Sequence, residues 1–122
     1  MLVGRRVGRI AALLASALVA VACGSGDDGR STIAVRGDAS TIQEAVDRAD
    51  PGDLVLIEPG TYREQVVVET DGIVIRGVDR NEVILDGDDE LFDGFLVVAD
   101  GVAVENLTVR NYRQNGVIFT GT

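Results

Sequence analysis

From residue 32 onward, apolar residues come in short runs separated by glycine- and acid-rich turns. The runs are Ile33-Ala34-Val35, Leu54-Val55-Leu56-Ile57, Val66-Val67-Val68, Ile73-Val74-Ile75, Val83-Ile84-Leu85, Phe95-Leu96-Val97-Val98, Val102-Ala103-Val104, Leu107-Thr108-Val109 and Val117-Ile118-Phe119. They are rich in β-branched side chains, which fit a pleated strand. Between them stand Pro51-Gly52-Asp53, Pro59-Gly60, Asp71-Gly72, Asp86-Gly87, Asp93-Gly94, Asp100-Gly101 and Asn115-Gly116. Each pair supplies a residue that tolerates positive φ, so sharp bends are expected there. One stretch, 40–49, reads differently. Ile42, Ala45, Val46 and Ala49 fall at i, i+3, i+4 and i+7, a single helical stripe. Thr41 and Glu44 have capping-box spacing, and Pro51-Gly52 ends the segment.

Many short strands fit two arrangements. A β-sandwich pairs them as antiparallel hairpins, which Asp-Gly turns favour in general. A parallel β-helix winds them into stacked coils, and then the sequence repeats itself. Residues 69–78 align with 98–107 at an offset of 29, and Val83-Ile84-Leu85 matches Leu107-Thr108-Val109 at 24. The difference of five residues falls in Val78-Asp79-Arg80-Asn81-Glu82, a loop-like stretch. The earlier step, Leu54 to Ile73, is 19. A solenoid tolerates such uneven coils because insertions project outward, whereas a hairpin stack has no reason to repeat.

Residues 1–22 read as an address. Arg5, Arg6 and Arg9 form a positive start, and the uncharged stretch 10–22 follows. That is a signal-peptide pattern, too short for a bilayer span, which takes about 20 apolar residues. Val19-Ala20-Val21-Ala22-Cys23 resembles a bacterial lipobox, with Ala20 where Leu is usual. The resemblance implies lipidation of Cys23 and anchoring in the cell envelope; an ordinary secretory signal is the alternative. The pair Arg5-Arg6 lacks a large apolar residue at Gly8, so it reads as a generic start and not as a twin-arginine signal. Residues 23–31 are polar and Gly/Ser/Asp-rich, a flexible tether.

Charge then narrows the function. The 122 residues carry 11 basic and 20 acidic groups, net −9, with no His and one Cys. A Cys/His zinc site within one chain, a His-dependent triad and a disulfide framework are excluded. Removal of residues 1–22 takes three Arg and no acid, leaving net −12 over 100 residues. Such a surface argues against nucleic acid as a partner. It also means that an acidic polysaccharide needs local Arg or a bound cation to offset the field.

Thr41-Ile42-Gln43-Glu44-Ala45-Val46 resembles the capping helix that opens the pectin-lyase-like right-handed β-helix superfamily. Residues 51–64, Pro-Gly-Asp-Leu-Val-Leu-Ile-Glu-Pro-Gly-Thr-Tyr-Arg-Glu, resemble its first coil, and Ile75-Arg76-Gly77 and Ile84-Leu85-Asp86-Gly87 continue the match. The resemblance covers 32–122 and implies an all-β, right-handed, single-stranded parallel β-helix with an N-terminal capping helix. That superfamily includes pectin methylesterases, pectate lyases, polygalacturonases, alginate epimerases and NosD-like envelope proteins. It implies binding or processing of polysaccharide, or a structural or maturation role of the NosD-like kind. No catalytic motif of the enzymes stands in these residues. An esterase, lyase, hydrolase or epimerase site is therefore expected beyond residue 122, on later coils. No segment closes the last coil at Phe119-Thr120-Gly121-Thr122, so 32–122 is expected to be the N-terminal part of a longer solenoid.

The candidate glycan contacts are Arg63, Arg76, Arg110, Tyr112 and Arg113, since Arg grips carboxylates in a fork and Tyr stacks on sugar faces. Asn106 and Asn111 are candidates for bending the chain between strands, their amides bonding to backbone. Asp86, Asp88, Asp89, Glu90 and Asp93 cluster in eight residues. Calcium favours such oxygens, but the EF-hand positions fall on Leu91 and Val97, so no cofactor is assigned and calcium stays open.

Overall fold

The computed structural model describes residues 29–122; the expected signal peptide at 1–22, the lipidation residue Cys23 and residues 24–28 of the tether lie outside the described residues. The described chain forms β1 (Thr32–Val35), α1 (Ile42–Arg48), β2 (Leu54–Ile57), β3 (Gly60–Tyr62), β4 (Val66–Val68), β5 (Val74–Gly77), β6 (Val83–Asp86), β7 (Asp93–Val97), β8 (Ala103–Glu105), β9 (Thr108–Arg110) and β10 (Asn115–Phe119). Three sheets result, ordered β1-β2-β5-β8, β3-β6-β9 and β4-β7-β10, here called A, B and C. Every strand pairing is parallel, and neighbours within a sheet are one coil apart in the chain. The fold is therefore a right-handed parallel β-helix, not a sandwich. Coil 1 is β2-β3-β4, coil 2 is β5-β6-β7, coil 3 is β8-β9-β10, and β1 lies ahead of the first.

The register matches the sequence repeat in two steps and shifts it in one. Val74 faces Ala103 at 29 residues and Ile84 faces Thr108 at 24. The first step, however, is 20, since Leu54 faces Val74. The position below the buried Ile73 is Asp53, itself 2% exposed. A charged residue in an inward place hid the match from a search for apolar runs. The insertion at 78–82 does join β5 to β6, where coil 3 turns in two residues. In that short turn Asn106 adopts φ 57 and its amide Nδ2 donates to the Gly77 carbonyl at 2.8 Å.

The glycines divide into two kinds. Gly52, Gly72 and Gly101 have φ of 94°, 71° and 67° and stack as one corner column, as the bends expected there require. Gly94 and Gly116 instead sit inside β7 and β10, so those two pairs are not turns. A Cβ on Gly94 would lie 2.4 Å from the Gly116 carbonyl oxygen, and one on Gly77 would lie 2.4 Å from that of Asn106. Close approach of successive coils excludes a side chain there.

Alternation sends every second side chain inward. Ile33, Val55, Ile75 and Val104 stack in sheet A; Tyr62, Leu85 and Val109 in B; Val66, Phe95 and Val117, with Val68, Val97 and Phe119, in C. Val55, Ile75, Leu85, Phe95 and Val97 have no exposure, which stabilises by about 1.5–3 kcal/mol for each such side chain. Tyr62 is 4% exposed; its hydroxyl donates to the Glu58 carbonyl at 2.6 Å, and the Arg36 guanidinium lies 4.7 Å above its ring.

α1 covers the first coil, packing on β1, β2 and β4 with Ile42, Ala45 and Val46 buried. Seven residues are too few to hold a helix alone, so its hydrogen bonds to the coil matter. Thr41 Oγ1 accepts from the Glu44 N–H, as the capping box requires. The returning arm differs: Glu44 reaches the N–H and hydroxyl of Ser40, one residue earlier. The Ile42 and Gln43 N–H groups donate instead to the two carboxylate oxygens of Glu64, at 3.0 and 3.1 Å. Gln43 in turn closes the edge of sheet C. Its Nε2 donates to the Val67 carbonyl and its Oε1 accepts from the Val67 N–H, in place of a neighbouring strand.

Candidate functional site

A cleft of about 400 Å³ opens on the outer face of sheet A, beside the corner column. Thr32, Leu54 and Val74 share one outward row across β1, β2 and β5, and the last two give the cleft an apolar floor. Arg30 and Ser31 line it from the segment before β1, and Arg76 from the next outward row. Arg76 Nε donates to Glu105 Oε2 at 2.6 Å, one coil on, and the Arg76 side chain as a whole is 45% exposed.

Asp53 builds the cleft and is occupied in doing so. Its Oδ1 accepts from the Ser31 N–H and its Oδ2 from the Asp50 N–H, both at 2.9 Å. These bonds, that from Asp50 first, hold its carboxyl below the ordinary range. Asp53 is the one carboxylate among the cleft-lining residues. Both its oxygens are thus engaged by backbone N–H groups, which favours the ionised carboxylate. The cleft offers guanidinium, hydroxyl and aliphatic contacts.

Of the candidate glycan contacts read from sequence, Arg76 alone lines this cleft. Arg63, Arg110, Tyr112 and Arg113 gather elsewhere, where sheet B passes into sheet C. Arg63 pairs with Glu90 and lies 3.7 Å from Asp88. Arg110 donates to Asp86 Oδ2 at 3.0 Å, and Asn111 Nδ2 to Asp86 Oδ1 at 3.1 Å. The Asp88 N–H, the Asn111 amide and the Arg110 guanidinium, in that order, hold the Asp86 carboxyl low. Arg113 lies 5.3 Å over the Phe92 ring, which is 50% exposed. Asn111 has φ 58, so it bends the chain as anticipated, but its amide bonds to a side chain and not to backbone.

Tyr112 is partly buried. Its hydroxyl donates to the Glu64 carbonyl at 2.5 Å, bridging from coil 3 to coil 1 past the outward loop of coil 2. Its ring lies over Gly87 and Gly94; a Cβ on Gly87 would come within 2.7 Å of it. Burial first, with the Glu64 and Asp86 charges adding, pushes the phenol up to about 12. The ring face turned to Gly87 is thus not open to a sugar.

Among the described residues no three acidic side chains are gathered as a metal's ligand set. Asp86, Asp88 and Glu90 face arginines, and Asp93 accepts from Asn115 at 2.9 Å. The cleft residues Arg30, Ser31, Thr32, Leu54 and Val74 were not among the candidate contacts read from sequence. Their signal was the strand alternation, which assigns Leu54 and Val74 outward only once the 20-residue register is known.

Searches of family profiles, curated proteins and solved structures found no match to this chain.

Proposed function

We propose that this is an exported, lipid-anchored β-helix protein that binds polysaccharide on the outer face of sheet A. The observation that carries this reading is the cleft between Arg30 and Arg76, with its apolar floor of Leu54 and Val74 and the hydroxyl residues Ser31 and Thr32 on its rim. A pyranose ring laid along a strand row presents its C–H face to such a floor and its hydroxyls to such a rim. Arg76 supplies a fork for a sugar carboxylate at a point where the surrounding net charge is negative. Processing of the glycan belongs to this reading only where another part of the protein supplies an acid–base pair.

The test is a titration of the isotope-labelled chain with neutral and uronate oligosaccharides. Amide shifts centred on 30–32, 52–54 and 74–76 are expected. Arg76→Ala should weaken uronate binding about tenfold, the loss of one charge-assisted contact of about 1.4 kcal/mol. Neutral sugars should lose less. No shift at millimolar oligosaccharide would defeat the reading. A structural role of the NosD-like kind would then stand, favoured by the pairing of Arg63, Arg76 and Arg110 with carboxylates of this same chain.

A further inference from the structure

The cation on the rim of the cleft is already paired. Arg76 and Glu105 are register partners on β5 and β8, in the outward row that Ala34 and Leu56 begin. On one side of Arg76 stands Leu56, whose side chain offers the guanidinium no acceptor; on the other stands Glu105. The Glu105 side chain is 44% exposed and is not among those lining the cleft, so its route to a ligand runs through Arg76. One bond joins the pair, from Arg76 Nε to Glu105 Oε2 at 2.6 Å. A guanidinium carries five N–H donors. This bond takes the Nε edge and leaves those on the two Nη atoms.

We propose that Glu105 sets the discrimination of the cleft between acidic and neutral glycans, weakening uronates by competing with them for Arg76. The inference rests on the glycan reading of the cleft. A sugar hydroxyl accepts from an Nη group without bringing charge. A sugar carboxylate has to share one guanidinium with a second carboxylate. It also loses the side-on fork, of which Nε is half, and is left with the end-on fork of the two Nη groups. Two unit charges about 6 Å apart at a water-exposed site repel by an amount worth about three- to tenfold in affinity. Asp53 also lies in the cleft, but its oxygens take the Ser31 and Asp50 N–H groups, so it competes for backbone and not for Arg76.

Glu105→Gln separates this role from simple support of β5 by β8. It keeps an acceptor of the same shape for Nε and removes the charge. Calorimetric titration uses a glucuronate tetrasaccharide and the glucose tetrasaccharide of the same linkage, which differ only in oxidation at C6. The variant should bind the glucuronate chain about fivefold more tightly than the parent does, and the glucose chain within about twofold of it. In an Arg76→Ala background the same substitution should change glucuronate affinity by less than about twofold, since the shared guanidinium is gone.

A merely structural ion pair would lower the melting temperature of Glu105→Gln and leave the ratio of the two affinities where it is. That result, or weaker glucuronate binding by the variant, would overturn the proposal while leaving the cleft as a glycan site. Absence of binding by both sugars, in the parent and in the variants alike, would defeat the glycan reading itself and the selectivity with it.

Discussion

Replacing Glu64 by Ala removes the carboxylate that holds α1 to coil 1. Two helix N–H groups, those of Ile42 and Gln43, lose their acceptors at 3.0 and 3.1 Å. A hydrogen bond to a charged group contributes about 1.5–3 kcal/mol when removed from water. Glu64 is only partly buried, so the lower figure applies and water recovers part of it. The expected loss is about 2 kcal/mol, including the interaction of the carboxylate with the helix dipole. Glu64→Gln keeps one acceptor oxygen and loses the charge, so about 1 kcal/mol is expected. In a domain of this size each kcal/mol moves the melting temperature by about 4–8 °C. The Ala variant should therefore melt about 8–16 °C lower and the Gln variant about half as far. Hydrogen exchange locates the effect: Ala45, Val46 and Val67 should lose protection while the amides of β5 and β6 keep theirs. Melting of both variants within about 2 °C of the parent would refute the argument, because the lid would then be held by packing alone.

Other outcomes follow from single contacts. Gly77→Ala should destabilise by about 1–3 kcal/mol in a denaturant titration, since its Cβ would meet the Asn106 carbonyl and Val83. Phe95→Ala, at the centre of sheet C, should cost about 3–5 kcal/mol by the same measure. The Tyr112 phenol titrates at about 12 in the fold against an ordinary 10, so its contribution is complete below pH 10 and is lost as pH rises through 12. Absorbance titration should show the late phenol, and Tyr112→Phe should remove that alkaline fall. Asp53 behaves oppositely: its folded value is depressed, so its stabilisation is present at neutral pH and lost as pH falls through that value. Acid melts of Asp53→Asn should show a shallower decline. On the proposed lipid anchor, labelled palmitate should enter the parent protein and fail to enter Cys23→Ser; equal labelling of the two would remove the anchor.

Much of this architecture was readable in the residues, because parallel coils repeat and their apolar runs are short and β-branched. The helix and the steps of 29 and 24 came out of periodicity alone. What periodicity missed has local causes. β3 is Gly-Thr-Tyr, too polar to register as a strand, and its single inward ring is held by a hydroxyl contact to Glu58. The first step slipped because Asp53 fills an inward place that apolar matching skips. Asp93-Gly94 and Asn115-Gly116 look like bends but lie in strands, where the absent side chain makes room for the next coil. The cleft was less legible still. Arg76 carried a chemical signal, whereas Thr32, Leu54 and Val74 become neighbours only through pairing across 22 and 20 residues.

Tyr112 gives the molecule a mechanical character that stacked repeats usually lack. Where each layer touches only the layers beside it, force on one terminus peels the stack layer by layer. Here a phenol on the third layer grips the first, at Glu64, whose carboxylate also clasps the helix. Pulled from Thr122, the stack would resist at this strut and then yield in one rupture rather than a staircase of small ones.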